Sequence, residues 1–201
     1  MRYLLIILIA YVLGSSSMSF YISKLHGIDM KKKGSKNLGA SNTVALIGWK
    51  AGIIVCLHDV LKAVLAVMIA KYFFSDLAYA KELAGVFCVL GHIFPFYLKF
   101  DGGKGFASYV GMVLALNWRF AIVVIIAILL ITLITDYIVL ATFTTIPVSP
   151  IFLAYHQQNY YIGLIVGIAS LVILYKHRAN IVRLLNGTEM GLRKAHKGEY
   201  R

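Results

Sequence analysis

A chain of 201 residues that is 60% hydrophobic and only 14% charged cannot hide its apolar surface in one small soluble core, because a domain of that size still exposes much of its area. Its net charge is +12, yet the basic residues sit between hydrophobic runs and not along one polar face. That pattern fits contact with anionic lipids or anionic substrates better than nucleic-acid binding.

In chain order, apolar stretches fall near 3–23, 51–74, 83–98, 106–118, 120–136, 138–155 and 160–176. A helix needs roughly 20 mostly apolar residues to cross a bilayer, and several of these approach that length. The first runs into Gly14-Ser15-Ser16-Ser17 in the manner of a signal peptide, but hydrophobicity resumes at Phe20-Tyr21-Ile22, so it is expected to persist as a span. The third and fourth are short and are expected to tilt or to break at the glycines between them. In the sixth, Thr142 to Thr145 followed by Pro147 and Pro150 predicts a kink. Asp59 and Lys62 lie one turn apart in the second span. Unpaired, each costs about 2.5–3.5 kcal/mol near the bilayer centre, so they are expected to pair. Cys56 and Cys88 show neither metal-ligand spacing nor a disulfide framework and are expected to pack.

Positive charge marks the cytoplasmic loops. Loop 24–50 carries Lys24, Lys31, Lys32, Lys33, Lys36 and Lys50. Loop 99–104 carries Lys99 and Lys104, and the tail from Lys176 carries Arg178, Arg183, Arg193, Lys194, Lys197 and Arg201. The alternate loops hold only Arg2, Lys71, Lys81 and Arg119. The sequence therefore predicts an all-α integral membrane protein of about seven transmembrane helices. Its N-terminus lies outside and its C-terminus in the cytoplasm, and residues 1–201 form one polytopic domain.

Three polar clusters fall on the predicted cytoplasmic side. GSKNLGASN (34–42) offers Gly34, Ser35, Asn37, Gly39 and Asn42: glycines that let backbone approach a ligand, amides that can form an anion nest, and compact donors. The same residue types also favour plain turns. GHIFPFYLKFDGGKG (91–105) embeds Lys104 among Gly102, Gly103 and Gly105. It is not a Walker loop, since Gly105 occupies the magnesium-binding Ser/Thr position. A lysine flanked by exposed amides nevertheless suits phosphate. His92, in the same stretch, is read as a capping or packing residue. HRANIVRLLNGTE (177–189) repeats His177, Asn180 and Arg183 at helical spacing, more polar than a lipid-facing amphipathic helix requires.

In order and spacing these clusters resemble the three motifs of the bacterial membrane glycerol-3-phosphate acyltransferases that use acyl-phosphate as donor, the PlsY family, over nearly the whole chain. Asp59-Val60-Leu61-Lys62 also looks like that family's second span. The chain departs from the pattern at Lys36, where glycine is usual, and at Ala45, where arginine is usual. It departs again at Asp101, where lysine is common, and at Asp136-Tyr137-Ile138-Val139 in place of Arg-Tyr-Val-Ser, which leaves Thr142 as the nearest hydroxyl.

The resemblance implies acyl transfer from acyl-phosphate to the 1-hydroxyl of glycerol 3-phosphate, at the cytoplasmic face of a bacterial inner membrane. It implies no metal and no cofactor; membrane lipids are the expected surroundings, and a monomer is the expectation although the sequence does not fix the oligomeric state. His177, Lys104 and Ser35 are the expected catalytic residues. Gly34, Asn37, Gly39, Asn42, Gly102, Gly103, Gly105, Thr142, Asn180 and Arg183 are expected to bind substrate phosphate. His177 is the candidate base or hydroxyl-positioning group, with a substrate phosphate as the preferred proton acceptor. No histidine has an aspartate five positions later, which excludes resemblance to the His-x4-Asp acyltransferases. The alternatives are an acyltransferase with another phosphorylated acceptor, or a membrane anion or lipid transporter.

Overall fold

A computed structural model describes residues 1–193, and every regular element in it is helical. The order is α1 (Arg2–Ser15), α2 (Met18–Leu25), α3 (Ala40–Leu46), α4 (Trp49–Phe73), α5 (Ala80–Ile93), a 3-10 turn (Phe96–Leu98), α6 (Phe106–Leu116), α7 (Trp118–Thr135), α8 (Ile138–Thr145), α9 (Val148–His156), α10 (Tyr160–Lys176) and α11 (Arg178–Leu185). Lys194, Lys197 and Arg201, counted above with the basic tail, lie outside the described residues.

Five stretches among the described residues are long and apolar enough to cross a membrane: Arg2–Leu25, Trp49–Phe73, Ala80–Leu98, Trp118–Thr135 and Ile138–His156. A sixth is reached only by taking Tyr160–Lys176 and Arg178–Leu185 together as one broken span, bent by 42° between them. The fourth predicted span is only 11 residues of α6, about 16 Å at 1.5 Å per residue, well short of a roughly 30 Å hydrocarbon core. The kink predicted in the sixth span is a break at Ile146 and Pro147 between α8 and α9.

Without water to drive helices together, close backbone approach supplies the packing. α1 and α5 touch through reciprocal glycines: a Cβ on Gly14 would stand 2.0 Å from the Cys88 carbonyl oxygen, and one on Gly91 2.3 Å from that of Tyr11. The core runs between α5, α6, α7, α9 and α10, with Val89, Ile93, Tyr109, Met112, Leu153, Val166 and Ile173 buried. Leu57, Leu61 and Leu65 of α4 and Ile126, Leu130 and Leu133 of α7 point outward, as a lipid-facing surface requires. Cys88 is buried as expected, whereas Cys56 is exposed: it lies on the face of α4 that borders a cavity, with Asp59 and Val60, and so lacks the packing expected of it.

Polar contacts between segments gather at the two ends of the bundle, apart from buried pairs such as Tyr109 with Ser170 at 2.7 Å. At one end Arg2 pairs with Asp76, Tyr3 donates to the Ala78 carbonyl and Asn159 donates to Tyr79. At the other, Asp101 pairs with Lys31 at 3.0 Å and Lys176 at 3.7 Å, and the Asp136 carboxylate accepts the Arg193 N–H. The segments 24–48, 94–105 and 177–193 all meet at this second end.

Replacing Gly14 by Val drives a side chain into the α5 backbone, which cannot yield. The expected loss is about 3 kcal/mol, read as a lower thermal midpoint in detergent. Gly167→Ala, where a Cβ meets nothing within 4 Å, is expected to raise the midpoint through helix propensity alone.

Candidate functional site

The three clusters converge on one cavity of about 380 Å³. Ser35, Asn37 and Gly39 line it from the first, Lys104 and Gly105 from the second, and His177, Asn180 and Glu189 from the third. Thr142 of α8, Ser41 of α3, Asp59 of α4 and His92 of α5 belong to the polar part as well. The other part is apolar, walled by Phe106, Val110 and Leu114 of α6 and by Ile125, Ile128 and Leu129 of α7. One compartment thus offers donors and a cation at one end and hydrocarbon at the other.

Lys104 donates to Asn180 Oδ1 at 2.5 Å. Asn180 Nδ2 in turn donates to Glu189 Oε1 at 2.6 Å, and Arg183 Nε to Glu189 Oε2 at 2.8 Å. The chain of bonds fixes the Asn180 amide with its oxygen toward the lysine. Burial pushes the Lys104 ammonium down, and the like charges of Arg183 and Lys176 push it further against the pull of Glu189, to about 8. The ammonium is therefore still charged near neutral pH but partly stripped of water, which strengthens its hold on an anion.

His177 sits at the break between α10 and α11, where its ring stays buried. Its Nδ1 lies 2.8 Å from the Ile173 carbonyl. A carbonyl only accepts, so Nδ1 carries the hydrogen and Nε2 is left with a lone pair. Burial lowers the imidazole to about 4, with a smaller contribution from Lys104 outweighed by the Ile173 bond. His177 is thus neutral at working pH and equipped to accept a hydrogen bond from a substrate hydroxyl.

Several expected phosphate contacts have other work. The Gly102 and Gly103 N–H groups donate to the carbonyls of Ile93 (2.9 Å) and His92 (3.1 Å), so they close the loop back on α5 and are not free for a ligand. Glycine is needed there because a Cβ would meet the His92 carbonyl at 2.2 Å or the His92 ring at 2.1 Å. Asn42 is fully buried. Its Oδ1 accepts the Ser35 N–H at 2.9 Å, and its Nδ2 reaches the carbonyls of Met30, Lys33 and Asn37. It scaffolds the first loop from beneath and does not line the cavity. Gly34 likewise gives room to Asn42. Arg183 is off the lining as well and acts through Glu189.

The departures from the family pattern have local explanations. Asp101 ties Lys31 and Lys176 together; burial works to raise its carboxyl, and the two lysines hold it below its ordinary value. Asp136 caps α7 at φ +72°, and its carbonyl and carboxylate accept the N–H groups of Leu192 and Arg193, which folds the chain after Glu189 over the cavity rim. Ala45 is fully buried in α3, away from the lining. Asp59 and Lys62 form the expected pair at 2.8 Å. Sequence reasoning missed Glu189, which stood in a quoted motif without a role, and Asp59 and His92, which line the cavity although they belong to spans α4 and α5.

A family model described as glycerol-3-phosphate acyltransferase matches residues 4–187. A glycerol-3-phosphate acyltransferase of Bartonella henselae is 39% identical over 188 residues, covering 92% of this chain and 89% of the relative. One from Clostridioides difficile is 39% identical over 193 residues, covering 93% and 94%. Among solved structures, PlsY, an integral membrane glycerol 3-phosphate acyltransferase, matches in its glycerol 3-phosphate form with a TM-score of 0.89, 33% identity and 96% of each chain covered. Its lysophosphatidic acid form matches with a TM-score of 0.87 and 31% identity over both whole chains.

Lys36 stands between two lining residues at φ +56°, where a side chain costs about 1–2 kcal/mol. Lys36→Gly is expected to stabilise the protein by about 0.5–1 kcal/mol after the added freedom of the unfolded chain is subtracted. Thermal unfolding in detergent reads this directly, and an unchanged or lower midpoint contradicts it.

Proposed function

Because the chain belongs to the glycerol-3-phosphate acyltransferase family, we propose that it moves a fatty acyl group from acyl-phosphate to the 1-hydroxyl of glycerol 3-phosphate. The products are 1-acylglycerol 3-phosphate and inorganic phosphate. The observation that carries this reading is the two-part cavity: a polar end with Lys104, Asn180 and His177 is continuous with an apolar end between α6 and α7. Such a compartment suits a substrate whose phosphate is joined directly to its acyl group, so that head and chain are adjacent; a thioester donor separates its acyl group from its phosphates by a long pantetheine arm.

In the proposed reaction the hydroxyl oxygen of glycerol 3-phosphate attacks the acyl carbonyl carbon, and the bond from that carbon to the phosphate oxygen breaks. The hydroxyl proton passes to a phosphate oxygen. His177 orients the hydroxyl through its Nε2 lone pair; a group titrating at about 4 is too weak a base to take the proton outright. Lys104 and the Ser35 and Asn37 side chains receive phosphate oxygens, and the second Asn180 Nδ2 hydrogen completes the donors; the Thr142 hydroxyl donates to the Ile138 carbonyl at 3.0 Å and presents only its lone pairs to a substrate hydroxyl. Phosphate is a good leaving group, so the site asks for no cofactor.

The same reading places the N-terminus outside, the C-terminus in the cytoplasm and the cavity at the inner leaflet of a bacterial inner membrane. Seven crossings satisfy that parity, α6 making the fourth in a locally thinned region. The gathering of 24–48, 94–105 and 177–193 at one end of the bundle, together with their lysines and arginines, supports this orientation. The chain is proposed to act as a monomer.

Purified protein given acyl-phosphate and glycerol 3-phosphate is expected to release phosphate and form a singly acylated product, while acyl thioesters give neither. Turnover from thioesters alone would reject the donor. The pH profile gives a second check. Lys104 loses its proton as pH rises through about 8, so kcat/KM is expected to decline above that point. Lys104→Arg, which stays charged, is expected to lose that alkaline decline even if its overall rate is lower.

A further inference from the structure

Beneath the loops lies a buried charge cluster that the reaction just described does not use. The Lys62 ammonium is 2.8 Å from Asp59 Oδ1, 2.7 Å from the Ser16 carbonyl and 2.9 Å from His92 Nδ1. An ammonium has three N–H bonds, and here it meets three acceptors. The Ser16 carbonyl is available because the helix breaks between α1 and α2. Asp59, Lys62 and His92 are all at least nine-tenths buried, so each bond is made away from bulk water.

This arrangement selects one form of His92. With a lysine N–H directed at it, Nδ1 must present a lone pair, since a hydrogen there would face another hydrogen. Its 3.3 Å approach to Asp59 Oδ1 is longer, and that oxygen already takes the Lys62 bond. A neutral His92 therefore carries its hydrogen on Nε2. The Nε2 edge has no protein partner among the described residues and lies against Gly103, whose missing side chain leaves it uncovered: a Cβ there would stand 2.1 Å away. His92 lines the same cavity as Lys104.

We infer that His92 is a further substrate-contacting residue, its Nε2–H donating to a phosphoryl oxygen in the cavity, with Asp59 and Lys62 as positioning residues that hold it in that form. The two cavity histidines then have opposite duties. His177, protonated on Nδ1 by the Ile173 bond, accepts from a hydroxyl; His92, protonated on Nε2 by the Lys62 arrangement, donates to an anion. The reaction assigned to this donor rests on the proposed function, but its tautomer does not.

The test uses the full chain in detergent with histidine ring nitrogens labelled by 15N, the His92 signals being identified by their absence in His92→Gln. The expected spectrum has His92 as the Nε2–H form and His177 as the Nδ1–H form. Inorganic phosphate, glycerol 3-phosphate and a non-hydrolysable acyl phosphonate, added separately, are expected to shift the His92 Nε2 signal, and the largest shift identifies the phosphate it serves. In kinetics, His92→Leu is expected to lose roughly 100-fold in kcat/KM, while His92→Gln, which keeps an N–H donor, stays within about tenfold of the parent. A hydrogen on His92 Nδ1, or no shift with any of the three anions, overturns the inference, as does full activity in His92→Leu. If His92→Leu does not fold, the spectra of the parent decide. A parent that shows the shift but no turnover supports the His92 contact and rejects the reaction; turnover without the shift does the reverse.

Discussion

Among the described residues on the cavity wall, the Lys104 ammonium is the cation that governs the electrostatics a substrate meets. Two carboxylates, Asp59 and Glu189, also lie on that wall, and left alone they would repel any phosphate. Each is held from behind by its own cation: Asp59 by Lys62 and Glu189 by Arg183, both at 2.8 Å. What remains directed into the cavity is Lys104. At an effective dielectric near 20, a unit charge at 4 Å is worth about 4 kcal/mol, and losing either backing cation would expose a carboxylate to offset it. The buried pairs thus shape the field that a substrate meets, which gives their cost inside an apolar bundle a purpose.

Breaks in the helices provide the polar groups that make this possible. A continuous helix keeps its carbonyls to itself, whereas a broken one frees them. The break after α1 gives the Ser15 carbonyl to Tyr97 and the Ser16 carbonyl to Lys62. The break between α10 and α11 lets His177 turn its ring onto the Ile173 carbonyl and brings Asn180 under Lys104. The return of residues 99–105 onto the end of α5 uses the carbonyls of His92 and Ile93. Each interruption is satisfied inside the protein, and each faces the cavity or its supports.

Two carboxylates, Asp101 and Asp136, are mechanical parts of the rim. Asp101 clamps two lysines from separate segments, and Asp136 holds the stretch through Leu192 and Arg193 against α7. Their negative charges lie outside the lining and are already paired, so they do not oppose an anion within it. Lys36 adds positive charge between Ser35 and Asn37 in a left-handed backbone conformation that glycine fits without cost.

Much was legible in the sequence because hydrophobicity and charge are local properties. Apolar runs and the lysine bias of alternate loops gave the helical membrane class, the placement of the helices to within a few residues, the break at Pro147 and the Asp59–Lys62 pair. The motifs at 34–42, 91–105 and 177–189 named the segments that build the cavity. The division of labour inside those motifs was decided by tertiary structure alone. Asn42 and Asn37 look alike in sequence, yet only packing turns the first inward to four backbone groups and leaves the second on the wall. Gly102 and Gly103 read as anion-binding amides until the chain folds back and uses them on α5. His92 read as a capping or packing residue and Asp59 as half of an ion pair, because nothing in a linear pattern says which side of a helix will border a cavity. A hydrogen bond belongs to two partners, and where the second lies dozens of residues away, only the fold can assign it.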